Sequence, residues 1–214
     1  MSLKVLKYFI LISAILAIGT NFFGITKVFF VLKPLTSSLI ILMAVLYSTA
    51  NQPKFNMAII IGLFFCLLGD IFLLFQEYFV FGLASFLVGH IFFIFAFTAI
   101  KGWNWQLKIG IPLVFIGGTI FVLSYPNLAS LFIPVMVYMI IIIIMSWQGI
   151  FLQISSPKKA FKTLGFAVSL FVLSDGLLAL DKFYVSFPLS GLFILITYWF
   201  AIFLLAEATT KEEV

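Results

Sequence analysis

Residues 57–76 read MAIIIGLFFCLLGDIFLLFQ, an apolar run carrying one ionisable side chain, Asp70. As a helix at about 1.5 Å per residue, such a run matches the roughly 30 Å of a bilayer's hydrocarbon. Its apolar character is continuous and does not alternate with period two, which excludes a strand of a closed barrel. Working outward, Gly, Pro, Asn and Lys punctuation divides the rest of the chain into comparable stretches. Eight spans are predicted, over residues 5–23, 28–49, 57–76, 79–100, 107–124, 131–152, 161–181 and 188–207. The expected fold is an all-α, polytopic membrane helical bundle, forming one integral membrane domain over residues 1–214.

The composition agrees. Of 214 residues, 64% are hydrophobic and only 9% charged, against about half and a quarter in soluble domains. The mean hydropathy is +1.30. A soluble fold of this length cannot hide that much apolar surface from water, so a globular cytosolic enzyme, a nucleic-acid binder and a secreted domain are excluded. All 12 basic residues are lysine, so no bidentate guanidinium fork is available for a phosphate. The lone Cys66 cannot form an intramolecular disulfide and reads as apolar filler. The N-terminal lysines and apolar run resemble a signal peptide. Thr20, Asn21, Phe22 and Phe23 offer no small-residue cleavage site, however, so a retained first helix is expected.

The lysines test the span count. With eight spans, one side collects Lys4, Lys7, Lys54, Lys101, Lys108, Lys158, Lys159, Lys162 and Lys211, and the other Lys27 and Lys182. That bias predicts cytoplasmic termini in the cell (inner) membrane. Lys211, Glu212 and Glu213 read as a frayed, solvated end. An internal echo supports the layout. Leu67-Leu68-Gly69-Asp70 followed by Leu73-Leu74 resembles Val172-Leu173-Ser174-Asp175 followed by Leu177-Leu178, with the acids 105 positions apart, as a 4+4 duplication would place them.

An ionisable group in mid-membrane costs roughly 2.5–3.5 kcal/mol on insertion scales and is a functional candidate by default. Four qualify: Lys33, Asp70, His90 and Asp175. Counted from the predicted span ends, Asp70 and Asp175 each lie six residues, about 9 Å, inside the non-cytoplasmic boundary. Lys33 lies near that level and His90 deeper, so one pocket opening toward the outer half is expected. Gly69, Gly82, Gly89, Ser174 and Gly176 would let backbones approach and leave room for a ligand. Lys33 can alternatively snorkel to the interface beside Pro34, His90 can simply bond a neighbouring helix, and Asp70 and Asp175 can pair structurally with Lys33. Asp181, Lys182, Glu77 and Glu207 read as span ends, and Trp103, Trp105, Trp147 and Trp199 as an aromatic belt. One histidine and one cysteine argue against a zinc site. Two carboxyls in unequal surroundings can instead divide the roles of acid and base. That pairing suits hydrolysis through an oxocarbenium-like state, and equally a proton relay.

The motifs Lys33-Pro34-Leu35-Thr36, Leu68-Gly69-Asp70, Leu87-Val88-Gly89-His90, Val137-Tyr138-Met139 and Leu173-Ser174-Asp175 occur in this order. With Leu178-Ala179-Leu180 and Thr197-Tyr198, they make the chain resemble the YhhN family of membrane proteins, from about Lys33 to Ala201. The resemblance implies eight spans and hydrolysis of the vinyl-ether bond of lysoplasmalogens to a fatty aldehyde and a glycerophospho-base. It implies Asp70 and Asp175 as catalytic acids. Lys33, with Tyr138 or Tyr198, would hold the phosphate, and His90 and Ser174 would support the site. The expected partners are a lysophospholipid substrate and membrane lipids, with no nucleic acid, metal or organic cofactor. The family's last span often reads Tyr-x-x-Ala-Gln, whereas Tyr198 and Ala201 are followed here by Ile202, replacing an expected pocket contact. A proton-coupled transporter of a small solute or lipid using the same acids is the competing reading.

Overall fold

The computed structural model describes residues 2–210; the acidic tail read as a frayed end lies outside them. Eight α-helices are present among the described residues: α1 (Leu3–Phe22), α2 (Thr26–Tyr47), α3 (Pro53–Phe72), α4 (Phe79–Lys101), α5 (Leu107–Ser124), α6 (Phe132–Ser155), α7 (Leu164–Phe183) and α8 (Ser190–Thr210). Each is long and apolar enough to cross a membrane. The protein is a multi-pass integral membrane protein. Its outer surface is the reverse of a soluble domain's, with Val31, Leu107, Phe115 and Val122 exposed while Lys33, Asp70, His90 and Gln148 are buried.

Local chemistry sets the helix ends. The Ser2 side chain accepts from the Val5 amide at the start of α1. Pro53 opens α3 at a position where no amide hydrogen is needed. Gly102 ends α4 with φ +70°, a conformation an L side chain resists. The structure corrects the third span most. α3 runs from Pro53 to Phe72, not 57–76, because Pro53 begins it earlier and the Leu74 and Phe75 amides turn back to the Ile71 and Phe72 carbonyls. A 3₁₀ turn, Gln76–Tyr78, then leads into α4. Asp70 therefore sits two residues from its helix end, beneath Leu73, Phe75 and Gln76, rather than six.

Contacts fix which ends lie together. Lys7 Nζ meets Glu207 Oε1 at 2.6 Å, and the Thr49 amide donates to the Thr209 carbonyl at 2.9 Å. The chain's described ends and the α2–α3 turn thus share one face of the bundle. At the opposite face, Asn127 Nδ2 donates to the Phe183 carbonyl at 2.7 Å. α3 packs most closely on α4 and α7 on α8, with α2 crossing α8 and α4 crossing α6.

The α3–α4 seam is made of glycines. A Cβ added at Gly89 would stand 2.9 Å from the Gly62 carbonyl oxygen and 3.3 Å from Cys66 Sγ. Backbone cannot yield as a side-chain tip can, so Gly89→Ala should destabilise the fold by about 1–3 kcal/mol through overpacking. Gly118→Ala, where nothing lies within 4 Å, should leave the thermal midpoint in detergent unchanged or slightly raised. Equal midpoints for the two variants would contradict this packing.

Candidate active site

Asp70 of α3 is 1% exposed and is held by side chains of two other helices. Ser37 Oγ of α2 donates to its Oδ2 at 2.5 Å, and Tyr198 Oη of α8 donates to the same oxygen at 2.8 Å. Lys33 Nζ of α2 lies 3.5 Å from Oδ1. Lys33 and Ser37 are four residues apart and so share a helix face. Trp199 Nε1 in turn donates to Ser37 Oγ at 3.3 Å. A carboxylate with an ammonium on one oxygen and two hydroxyl donors on the other is a buried charge provided with both a counter-charge and hydrogen bonds.

Asp175 on α7 has different company. Tyr138 Oη of α6 donates to its Oδ2 at 2.5 Å. His90 Nε2 of α4 stands 3.9 Å from that oxygen, beyond hydrogen-bond reach. Both His90 ring nitrogens are buried without a hydrogen-bond partner, and the ring is caged edge-on by Phe171 at 4.7 Å and Tyr138 at 5.2 Å. Next to the acid, Ser174 Oγ donates to the Ile194 carbonyl at 3.1 Å, tying α7 to α8 at this level. Among the described residues no lysine pairs with Asp175.

Both acids border one cavity of about 280 Å³, with Lys33, Phe86, Ser174, Leu195 and Tyr198 in its walls. Its rim is formed at the face away from the termini by Asn21, Gln76, Asp181, Lys182, Ser190 and Gly191. Leu195 also borders a groove of about 730 Å³ between α1 and α8, otherwise lined chiefly by apolar residues from Ile10 to Ile18 and from Ile196 to Phe203. Smaller apolar hollows of about 50 and 70 Å³ touch Asp175 and Tyr138 from the other side. Among the described residues no three His, Cys, Asp or Glu side chains converge as a metal site would require.

The structure brings Asp70, Asp175, Lys33, Ser174 and Tyr198 to one cavity. Tyr138 and His90 lie behind it, against Asp175. Lys33 neither snorkels nor offers a free charge to a phosphate, since its ammonium turns inward to Asp70. Trp199 is no belt residue: it is 4% exposed and reaches the site through Ser37. Ile202 packs in the hydrophobic core and does not border the cavity. Sequence reasoning missed Ser37, whose one available signal was its place one turn after Lys33. The echo between the halves has a spatial counterpart. Lys33 precedes Asp70 by the same 37 positions by which Tyr138 precedes Asp175, and each is a polar contact of its acid.

These features define a class, a polytopic membrane protein with two acids in unequal settings at one intramembrane cavity. The YhhN family model matches residues 28–209, and the chain belongs to that family. Lysoplasmalogenase TMEM86A of Bos taurus is 34% identical over 161 residues, 72% of this chain and 66% of the relative. Its Homo sapiens counterpart is 32% identical over the same shares. Lysoplasmalogenase TMEM86B of Rattus norvegicus is 30% identical over 146 residues, 67% of this chain and 58% of the relative. The matched region thus spans about two thirds or less of these relatives' own length. No solved structure matches significantly.

The ion pair is open to a direct test. Lys33→Leu strands the Asp70 charge and should cost about 3–5 kcal/mol, read as a lower thermal midpoint in detergent. Lys33→Leu combined with Asp70→Leu should recover most of that loss. A double variant as unstable as the sum of the two single ones would show that the two side chains do not act as a pair.

Proposed function

We propose that this protein is a lysoplasmalogenase-like hydrolase, which adds water across the vinyl-ether bond of a lysoplasmalogen to release a fatty aldehyde and a glycerophospho-base. The observation that carries the reading is the unequal setting of two acids on one cavity, one paired with an ammonium and one with a phenol. The similarity to lysoplasmalogenases supplies the bond class.

The division of labour follows from those settings. Asp70, compensated by Lys33 and two hydroxyls, is the ionised member. Asp175, with no lysine partner among the described residues, carries the proton. Asp175 delivers that proton to the β-carbon of the vinyl ether, and the double-bond electrons form the new C–H bond. The positive charge left on the ether carbon and oxygen is stabilised by the Asp70 carboxylate. Asp70 then takes a proton from a water molecule as its oxygen bonds that carbon. In the resulting hemiacetal, Asp70 returns the proton to the glyceryl oxygen as the C–O bond breaks. Asp175 recovers its own from the hemiacetal hydroxyl. Both acids end as they began, and no electrons are gained or lost overall. Tyr138 aims Asp175, while Ser37 and Tyr198 aim Asp70.

The cavity volume suits the polar part of a lysolipid better than its hydrocarbon chain. The Ser174–Ile194 hydrogen bond puts the neighbouring Leu195 near the acids' level, and the α1–α8 groove extends from Leu195 toward the face bearing the termini. A chain attached at the ether carbon runs along that groove, with its headgroup at the opposite rim. The lysine distribution supports an orientation with the termini in the cytoplasm and the rim on the other side of the cell membrane.

Incubation of the purified protein with 1-alkenyl and matched saturated 1-alkyl lysophospholipids, with aldehyde detection, tests the reaction. Only the alkenyl substrate should yield aldehyde, because only its carbon can be protonated. Asp70→Asn and Asp175→Asn should each lower turnover by at least about a hundredfold while leaving the protein folded, within the usual range for losing an acid or base. Wild-type turnover retained in either variant would refute the assignment. Reversible binding of the lipid without consumption would favour the transporter.

A further inference from the structure

The cavity walls hold two cations, and only one is available to a ligand. Lys33 is 8% exposed and engaged by Asp70. Lys182, at the rim, makes no ion pair among the described residues and rests over the Phe79 ring, 5.0 Å from its centroid. Beside it on α7, Asp181 accepts from Ser186 Oγ at 3.0 Å and from the Phe187 amide at 3.3 Å, both through Oδ1. Those bonds hold the carboxylate at the cavity's edge. Phe75 and Phe79 line the cavity at the same end. The rim therefore presents a cation and an anion side by side, next to aromatic faces that attract ammonium groups.

The spacing is that of a glycerophospholipid. Lys182 lies seven residues after Asp175 on one continuous helix, or about 10 Å along its axis. That separation is comparable to the reach of a glycerol backbone from an ether carbon at its first position to a phosphate at its third.

We propose that Lys182 and Asp181 form a zwitterionic headgroup subsite, in which the Lys182 ammonium binds the phosphodiester and the Asp181 carboxylate, with Phe75, binds the ammonium of the choline or ethanolamine base. The proposal rests on the hydrolase reading above and assigns its headgroup recognition to residues that first read as span ends. The subsite selects phospho-bases over phosphate monoesters, because a second phosphate charge with no ammonium would face Asp181 unpaired. Lys182 serves as a point charge, as the absence of arginine requires.

The experiment compares KM and kcat for wild type, Lys182→Met, Lys182→Arg and Asp181→Asn. Three 1-alkenyl substrates are used: the glycerophosphocholine, the glycerol 3-phosphate and the headgroup-free glycerol. Lys182→Met should raise KM about tenfold for both phosphorylated substrates, the size expected for a lost charge-assisted contact, and Lys182→Arg should restore most of it. Asp181→Asn keeps the oxygen that accepts from Ser186 and Phe187. It should raise KM for the choline substrate and lower it for the phosphate monoester. Unchanged KM values in an active enzyme would overturn the subsite and leave the hydrolase standing. A wild type that cleaves none of the three would overturn the hydrolase and the subsite with it.

Discussion

A charge buried among helices that face hydrocarbon has no water to turn to, so its partner must come from another helix. This requirement organises the centre of the molecule. Asp70 draws Ser37 and Lys33 from α2 and Tyr198 from α8, and Asp175 draws Tyr138 from α6 and leaves His90 of α4 close by. Each carboxyl thereby joins elements remote in sequence. The apolar surfaces around them cannot do the same, because a leucine meets hydrocarbon equally well in a lipid tail or a neighbouring helix.

The glycines make this arrangement possible. Gly62 and Gly89 bring α3 and α4 so close that a Cβ on Gly89 would meet the Gly62 carbonyl, and one on Gly62 the Phe93 ring and the Gly89 carbonyl. That approach places His90, one residue past Gly89, toward the acid of α7. The two acids then differ in the partner each receives from the helix before its own. Lys33 and Tyr138 stand at the same 37-residue spacing before their acids, but one brings a charge and the other a neutral hydroxyl. Two like residues thus have unlike surroundings, as two carboxyls that divide the roles of acid and base need.

Much of this was legible along the chain. The eight spans follow from uninterrupted hydrophobicity, and the ionisable residues stood out because lipid makes them costly. The placement of Asp70 relative to its helix end was misread, since the apolar run continues through Leu73, Leu74 and Phe75 after the hydrogen-bonded helix has stopped. Hydropathy registers transfer to lipid, not backbone pairing. Trp199 was misread for a related reason. Tryptophan favours interfaces on average, yet its N–H can also be satisfied by a buried hydroxyl such as Ser37.

The sequence by itself determined that the chain crosses a bilayer as helices and that Asp70 and Asp175 had to be reckoned with, because composition and burial cost are properties of residues one at a time. Only the tertiary structure decided that Lys33 belongs to Asp70 and not to a phosphate, and that Ser37 and Trp199 belong to the site. It alone left Lys182 and Asp181 together at the rim of the cavity. Those assignments depend on which helix faces meet and at what height, and that is set by packing and hydrogen bonding between segments far apart in the chain.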